Sequence, residues 1–291
     1  MSLPLILVTN DDGINSRALW AVVEAVSPLG EVLVVAPGRQ WSGGGRSKPQ
    51  GVTGQITAVQ GPIRDVTVTA YAVDGSPAQA VAHAVLEIAP RPISLAVSGA
   101  NLGPNLGLEV TVSGTVGAAL EAAAHGIPSL AVSMDMDASA YLSEGDLLGN
   151  YDAAKVYTHR FAQRLLSAGR THDVDVLNIN VPRDATADTP WRLTSLSRCR
   201  YYEPLPPDRS TGRLRPRYQV VSNVARLEWD SDIRAMLVDR VVSVTPLSLD
   251  LTSRVDRSQM TGLLNSPLSV WQEIQGFAPL LMARSLQARL A

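Results

Sequence analysis

The chain has a single cysteine, Cys199, in 291 residues, so it can form neither an intrachain disulfide nor a multi-cysteine zinc site. It has no excess of charge either. Its 25 Lys and Arg face 27 Asp and Glu, which removes the main electrostatic reason to expect a duplex nucleic acid or an anionic membrane, though not a small phosphorylated ligand. No uninterrupted apolar run approaches the roughly 18 residues that span a bilayer. The opening, MSLPLILVTNDDG, has no basic leader and no small-residue cleavage site, so a cytoplasmic protein is expected. The four histidines, His83, His125, His159 and His172, are scattered and are read as core or surface residues.

What is present is a recurring alternation. Leu3 to Val8 is a continuous apolar run ending in Thr-Asn-Asp-Asp-Gly, the pattern of a strand buried on both faces. Leu19, Val22, Val23 and Val26 then follow helical spacing, with Asn15 or Ser16 as cap, and Val32 to Ala36 returns as a strand. Ser76-Pro77 opens a second helix, Ile93 to Val97 reads as a strand, and Ser113-Gly114-Thr115 starts a third helix before a strand at Ile127 to Ser133. A helix over 153–168 and a strand over 174–181 complete the series. Strand–helix–strand units favour parallel pairing and right-handed crossovers, which predicts an α/β fold: a three-layer, Rossmann-like, mostly parallel sheet with helices on both faces. Thr53 to Val73 reads as paired strands. Beyond residue 184 the regularity weakens.

The expected organisation is a catalytic core over 1–183, then a hairpin or oligomerisation arm over 184–258 with a strand returning to the core near Val238 to Val244. A C-terminal helical extension over 259–291 follows, with helical character at Val270 to Leu290. Trp191 to Thr194 and Tyr218 to Val224 are the candidate hairpin strands. Trp20, Trp191 and Trp229 are read as packing residues.

In an open α/β sheet the ligand site lies beyond the carboxyl ends of the strands, and three loops there carry chemistry. Asn10-Asp11-Asp12-Gly13 sets two carboxylates side by side, with Gly13 supporting a turn that lets them converge. Two carboxylates in a low-dielectric crevice repel unless one is protonated or a cation lies between them, and Mg²⁺ or Mn²⁺ suits oxygen donors. The same tetrapeptide is also an ordinary Asx-capped turn. The second loop, Pro37 to Ser47, offers glycine N–H groups, the Ser42 hydroxyl, and Arg39 or Arg46 for phosphate; flexible surface loops have this composition too. Trp41 is either a stacking platform for a base or a loop anchor. The third loop, Ser98 to Val112, carries Asn101 and Asn105 and leads into Ser113-Gly114-Thr115, whose free N–H groups at a helix start can cradle an anion.

The strings ILVTNDDGINSRAL, VVAPGRQWSG, YAVDGSPAQAV, LAVSGANLGPNLG, VSGTVGAALEAAAHGIPSLAVS, VLNINVP and VVSVTPLSLD, in that order from Leu5 to Asp250, resemble the stationary-phase survival protein SurE family of metal-dependent 5′-nucleotidases. The resemblance implies one divalent metal cation per subunit, Mg²⁺ or Mn²⁺, held by Asp11, Asp12, Ser42 and Asn101. It implies that Asn105 and Ser113-Gly114-Thr115 bind or polarise the substrate phosphate. It also implies hydrolysis of nucleoside 5′-monophosphates, often of 3′-monophosphates, in some members of polyphosphate, and assembly through C-terminal arms into a homodimer or homotetramer. Gly38 stands where the family often has Asp, and Glu109 where Asp is usual; beyond about Gln259 no family match is apparent.

The expected reaction is direct attack of an activated water on phosphorus, with Asp12 or Asp11 accepting its proton. Three other readings fit the residues less well. An aspartyl-phosphate phosphatase needs Asp-x-Asp, but Asn10 holds the first position. A nicotinamide-dependent oxidoreductase needs a Gly-x-Gly-x-x-Gly turn after the first strand, which is missing. A non-catalytic nucleotide-binding or regulatory module would not require the intact set of four oxygen ligands.

Overall fold

The computed structural model describes residues 3–62, 68–136, 151–169, 171–212, 217–221 and 223–266. Strand β1 (Leu5–Thr9) leads through helix α1 (Arg17–Val26) to β2 (Glu31–Pro37). Strands β3 (Ile56–Val59) and β4 (Thr69–Val73) precede α2 (Pro77–His83), β5 (Leu95–Leu102), α3 (Gly114–Ala124) and β6 (Ser129–Met134). Next come α4 (Asp152–Ala168), β7 (Val176–Val181), β8 (Trp191–Leu193), β9 (Tyr202–Leu205) and β10 (Arg217–Val220). The series closes with α5 (Asp232–Leu237), β11 (Val242–Leu247) and α6 (Arg257–Asn265).

Nine strands form one sheet in the order β3-β4-β2-β1-β5-β6-β7-β11-β8. Within this sheet β3–β4 and β7–β11 pair antiparallel and the other described pairs are parallel. The alternation of side chains along β1 explains the layers. Ile6 and Val8 join the cluster with Leu19, Val22, Val23, Tyr157 and Phe161 of α1 and α4. Leu5 and Leu7 join Ala80, Val81, Ala118 and Ala122 of α2 and α3 on the other face. Both sides of the strand are therefore covered, and an unbroken apolar run is what that requires.

Local signals account for the helix ends. Ser76 and Gln79 form a reciprocal capping box at α2, with Pro77 in the first turn, a device worth about 1 kcal/mol. Ser113 caps α3 by accepting from the Val116 N–H at 3.1 Å. Ser16 takes the cap position of α1, but its side chain makes no capping bond. Trp20 is buried and donates its indole N–H to the Ile14 carbonyl at 2.9 Å, so its role is packing.

The later half departs from a simple hairpin arm. Residues 191–193 form the outer strand of the main sheet, parallel to β11, rather than a hairpin strand. The Tyr218 stretch does pair, as β10 antiparallel to β9. Trp191 meets Phe161 edge to face at 5.3 Å, whereas Trp229 is 78% exposed and is no packing anchor. Among the described residues, those up to Leu249 form one compact unit and those over 250–266 belong to a second. In that second unit α6 is capped by Asp256 and leaves Leu263 and Leu264 exposed. The helix expected over Val270 to Leu290 lies outside the described residues.

Candidate active site and metal centre

Strand β1 lies between β2 and β5. The chain runs from β1 outward to β2 and β4, then returns past β1 to β5, so the strand order reverses between β1 and β5. That is the switch point at which an open α/β sheet binds ligands. The loops leaving β1, β2 and β5 are the three that the sequence singles out.

After β1, Asn10 closes the turn on itself. Its amide donates to the Gly13 carbonyl and its Oδ1 accepts the Gly13 N–H, both at 3.1 Å. Gly13 has φ +98°, a conformation that favours glycine. Asp11 is 3% exposed and accepts the Thr115 hydroxyl on Oδ1. Its main-chain carbonyl accepts the Trp41 N–H at 2.7 Å. Asp12 is half-buried; Oδ1 accepts from Gln40 Nε2 at 3.3 Å and Oδ2 meets the Leu102 N–H at 3.5 Å. These contacts draw the three loops together at the two acids.

The loop after β5 is set by a bulge. The pairing passes from Ser98↔Ala131 to Asn101↔Ser133, three residues of β5 against two of β6. Gly99, at φ +135°, permits it, since a Cβ there would stand 2.3 Å from the Val132 carbonyl oxygen. Beyond the bulge Asn101 donates Nδ2 to the Gly103 carbonyl at 2.7 Å, which turns its Oδ1 into the free group. Asn105 is buried in a polar network: Nδ2 donates to Ser133 Oγ at 2.7 Å, and its main chain is held by Asn178 and Asn180 at 2.8 to 3.1 Å.

The expected anion cradle divides its tasks. Ser113 Oγ accepts the cap bond and keeps its own proton to donate. Gly114 packs directly on Asp11, where a Cβ would fall 2.7 Å from the Asp11 Cβ. Thr115 is fully buried and its hydroxyl is committed to Asp11, so it acts on the acid and not on a ligand. In the second loop Ser42 is exposed beside Trp41, and Arg39 lies over the Trp41 ring at 5.1 Å. Arg46 is committed elsewhere: with Lys48 it pairs with the buried Glu121 of α3, at 2.7 and 2.6 Å. Backbone contact reinforces this tie, since a Cβ on Gly117 would stand 2.4 Å from the Gly45 carbonyl oxygen.

Two supporting residues, Gln40 and Asp232, were not apparent from the sequence, and Thr115, expected at the phosphate, supports an acid instead. Gln40 bonds Asp12, Thr115 bonds Asp11, and the buried Asp232 accepts the Gly107 N–H at 2.7 Å and the Ser197 N–H at 2.9 Å. Asp232 thereby ties the third loop to the 195–201 segment. Glu109 adds to that tie through the Tyr201 N–H at 2.9 Å. Only the Asn-x-Asn of VLNINVP carried a readable signal, because a spacing of two puts Asn178 and Asn180 on one face of β7.

The electrostatics fit a cation. Burial raises the Asp11 carboxyl above its usual range against the bonds from Thr115. Burial and the neighbouring Asp11 charge push Asp12 up to about 6. Among the described residues no Lys, Arg or His forms an ion pair with either acid, and no three His, Cys, Asp or Glu side chains are grouped so as to hold a metal ion. A cation here must therefore add neutral oxygens to two carboxylates. The Asn101 amide and the Ser42 hydroxyl are of that kind, and the donor set suits a hard divalent ion.

Residues 6–203 match the profile of a family described as survival protein SurE. A protein of Thermococcus gammatolerans named 5′-nucleotidase SurE is 42% identical over 266 residues, covering 89% of this chain and 95% of that one. A Methanosarcina mazei protein of the same name is 38% identical over 274 residues, covering 89% of this chain and 97% of that one. The crystal structure of a SurE protein from Aquifex aeolicus superposes with a TM-score of 0.68 at 29% identity, covering 90% of this chain and all of that one.

Proposed function

We infer the activity from one premise: the chain belongs to the SurE family, and like its relatives it is a 5′-nucleotidase, hydrolysing nucleoside 5′-monophosphates to nucleoside and phosphate. The observation that carries the assignment to this site is the pair of adjacent acids, Asp11 and Asp12, buried or half-buried, without a cationic partner among the described residues, against the N-terminus of α3 at the switch point.

One divalent cation per subunit, Mg²⁺ or Mn²⁺, would be held by Asp11, Asp12, Ser42 and Asn101. When bound it supplies a Lewis acid that neutralises phosphoryl charge and acidifies water. The residues of the chain do the rest. The Gly114 N–H and the Ser113 O–H, at the positive end of α3, are the donors for the phosphoryl oxygens. Asn105, fixed by Ser133, Asn178 and Asn180, contributes its amide without cost of reorganisation. Asp12 is the proton acceptor, because Oδ2 has only the 3.5 Å contact to the Leu102 N–H, while Asp11 Oδ1 is already taken by Thr115. Thr115 is a positioning residue.

Assembly into a dimer or tetramer through the β9–β10 ribbon is supported by Tyr218 and Val220, both exposed on β10. No helix among the described residues is long and apolar enough to cross a membrane, and a cytoplasmic location accords with the lone cysteine. The assay is phosphate release from 5′-AMP with added Mn²⁺: turnover abolished by EDTA supports the reading, and turnover unaffected by EDTA overturns its metal dependence.

A further inference from the structure

A cleft of ≈ 320 Å³ opens at the carboxyl ends of β2 and β4, lined by Gly38, Arg39, Gln55, Thr57 and Asp74 among others. None of these residues belongs to the metal set or to the phosphate donors. The volume is at the lower end of the roughly 300–1,000 Å³ typical of small-molecule sites. The cleft continues the catalytic loop. Arg39 lines it, the next residue, Gln40, bonds Asp12, and Trp41 bonds the Asp11 carbonyl. Successive Cα atoms lie about 3.8 Å apart, so the cleft begins within a residue or two of the acids.

On the nucleotidase reading, we propose that this cleft is the nucleoside subsite, which takes the sugar and base while the phosphate sits at Asp11 and Asp12. Its chemistry selects hydrogen-bond donors. Asp74 Oδ2 accepts the Thr53 N–H at 3.0 Å and the Thr53 hydroxyl at 2.6 Å, leaving Oδ1 as an acceptor for a ligand. These bonds, with Arg39 nearby, hold the Asp74 carboxyl below its usual range, so it is an anion at neutral pH. A nucleoside offers donors of two kinds, ribose hydroxyls and base N–H groups. Gln55 and Thr57 add neutral polar groups along the same wall. The Arg39 guanidinium, stacked over Trp41, makes a flat cationic platform suited to a base.

The opening depends on Gly38. It has no side chain to fill the cleft, yet its backbone does not need glycine: φ lies outside the left-handed region, and a Cβ would find only the Val73 carbonyl oxygen, at 3.7 Å. Gly38→Leu therefore narrows the cleft without straining the loop, and Asp74→Asn removes the acceptor charge at constant size.

The test compares kcat/KM for 5′-AMP, 5′-GMP, their 2′-deoxy forms, ribose 5-phosphate and p-nitrophenyl phosphate, with Mn²⁺, in the natural protein and both variants. Adenosine and guanosine binding by calorimetry is a readout independent of turnover. In Gly38→Leu the ratio of kcat/KM for 5′-AMP to that for p-nitrophenyl phosphate is expected to fall about tenfold, with loss of adenosine binding. In Asp74→Asn a loss for ribo- but not deoxyribonucleotides assigns the carboxylate to the sugar; a loss for both, with ribose 5-phosphate spared, assigns it to the base. An unchanged ratio with adenosine still bound overturns the cleft and leaves the hydrolase standing. If the natural protein hydrolyses none of these esters the hydrolase reading fails, and nucleoside binding alone then decides the cleft.

Discussion

Gly114 lies so close to Asp11 that a methyl group on it would stand 2.7 Å from the Asp11 Cβ and 2.8 Å from its Oδ2. Atoms do not share that space, so one of the two must shift. Asp11 is the side chain and carries the chemistry. Gly114→Ala is expected to displace the acid and lower kcat/KM for 5′-AMP about a hundredfold, at an overpacking cost of about 1–3 kcal/mol. Steady-state kinetics with urea unfolding separates the two effects, and activity near that of the natural protein would show that the close approach is not functional.

Thr115 has no access to a ligand, being fully buried, but its hydroxyl holds Asp11. Thr115→Val preserves shape and removes that bond. Loss of such a supporting bond typically weakens metal affinity or activity about 10–100-fold. Mn²⁺ titration should show weaker binding, with Thr115→Ser restoring most of it. Equal Mn²⁺ affinity in the Val variant would place the hydroxyl outside the metal's support.

Asp12→Asn keeps the Gln40 contact available but removes one of the two charges and the proton acceptor. Phosphate release from 5′-AMP should fall by at least about 10³-fold, the scale of a lost general base combined with a weakened cation site, while the circular dichroism spectrum stays native. Substantial turnover at saturating Mn²⁺ would remove Asp12 from the mechanism.

Asp232 makes folding depend on pH. Burial, against four backbone N–H bonds, raises its carboxyl from 3.8 to about 6. Because the folded pKa exceeds the unfolded one, the folded state binds more protons between these values. The contribution of this group is therefore largest below about 3.8 and is lost as pH rises through about 6, a span of roughly 3 kcal/mol. Asp232→Asn cannot titrate. The stability of the natural protein minus that of the variant, from urea unfolding, should decline between pH 4 and pH 6.5. A difference that is flat or rises with pH would contradict the buried-acid account.

The sequence made the β1–α1–β2 unit, the capped starts of α2 and α3, and the three loops legible, because each rests on local signals: an apolar run, helical spacing, Ser-Pro or Ser-Gly-Thr. The strands beyond residue 184 were not legible in the same way. The alternation over Trp191 to Thr194 marked β8 as a strand, but its place beside β11 is set by tertiary pairing. The acids of the site were readable as a pair, but their supports were not. Gln40, Asp232 and the hydroxyl of Thr115 reach partners 28, 125 and 104 residues away in sequence, and no local pattern records such contacts. Arg46 illustrates the converse: its composition suited phosphate, and the fold spends it on Glu121.

The account rests on four oxygen-bearing side chains from three loops meeting one divalent ion. A crystal structure grown with Mn²⁺, with the metal located by its anomalous scattering, tests this directly. The expected result is a single peak per subunit within about 2.0–2.4 Å of oxygens from Asp11, Asp12, Ser42 and Asn101. A peak elsewhere, or Asp11 and Asp12 without metal at saturating Mn²⁺, would contradict it.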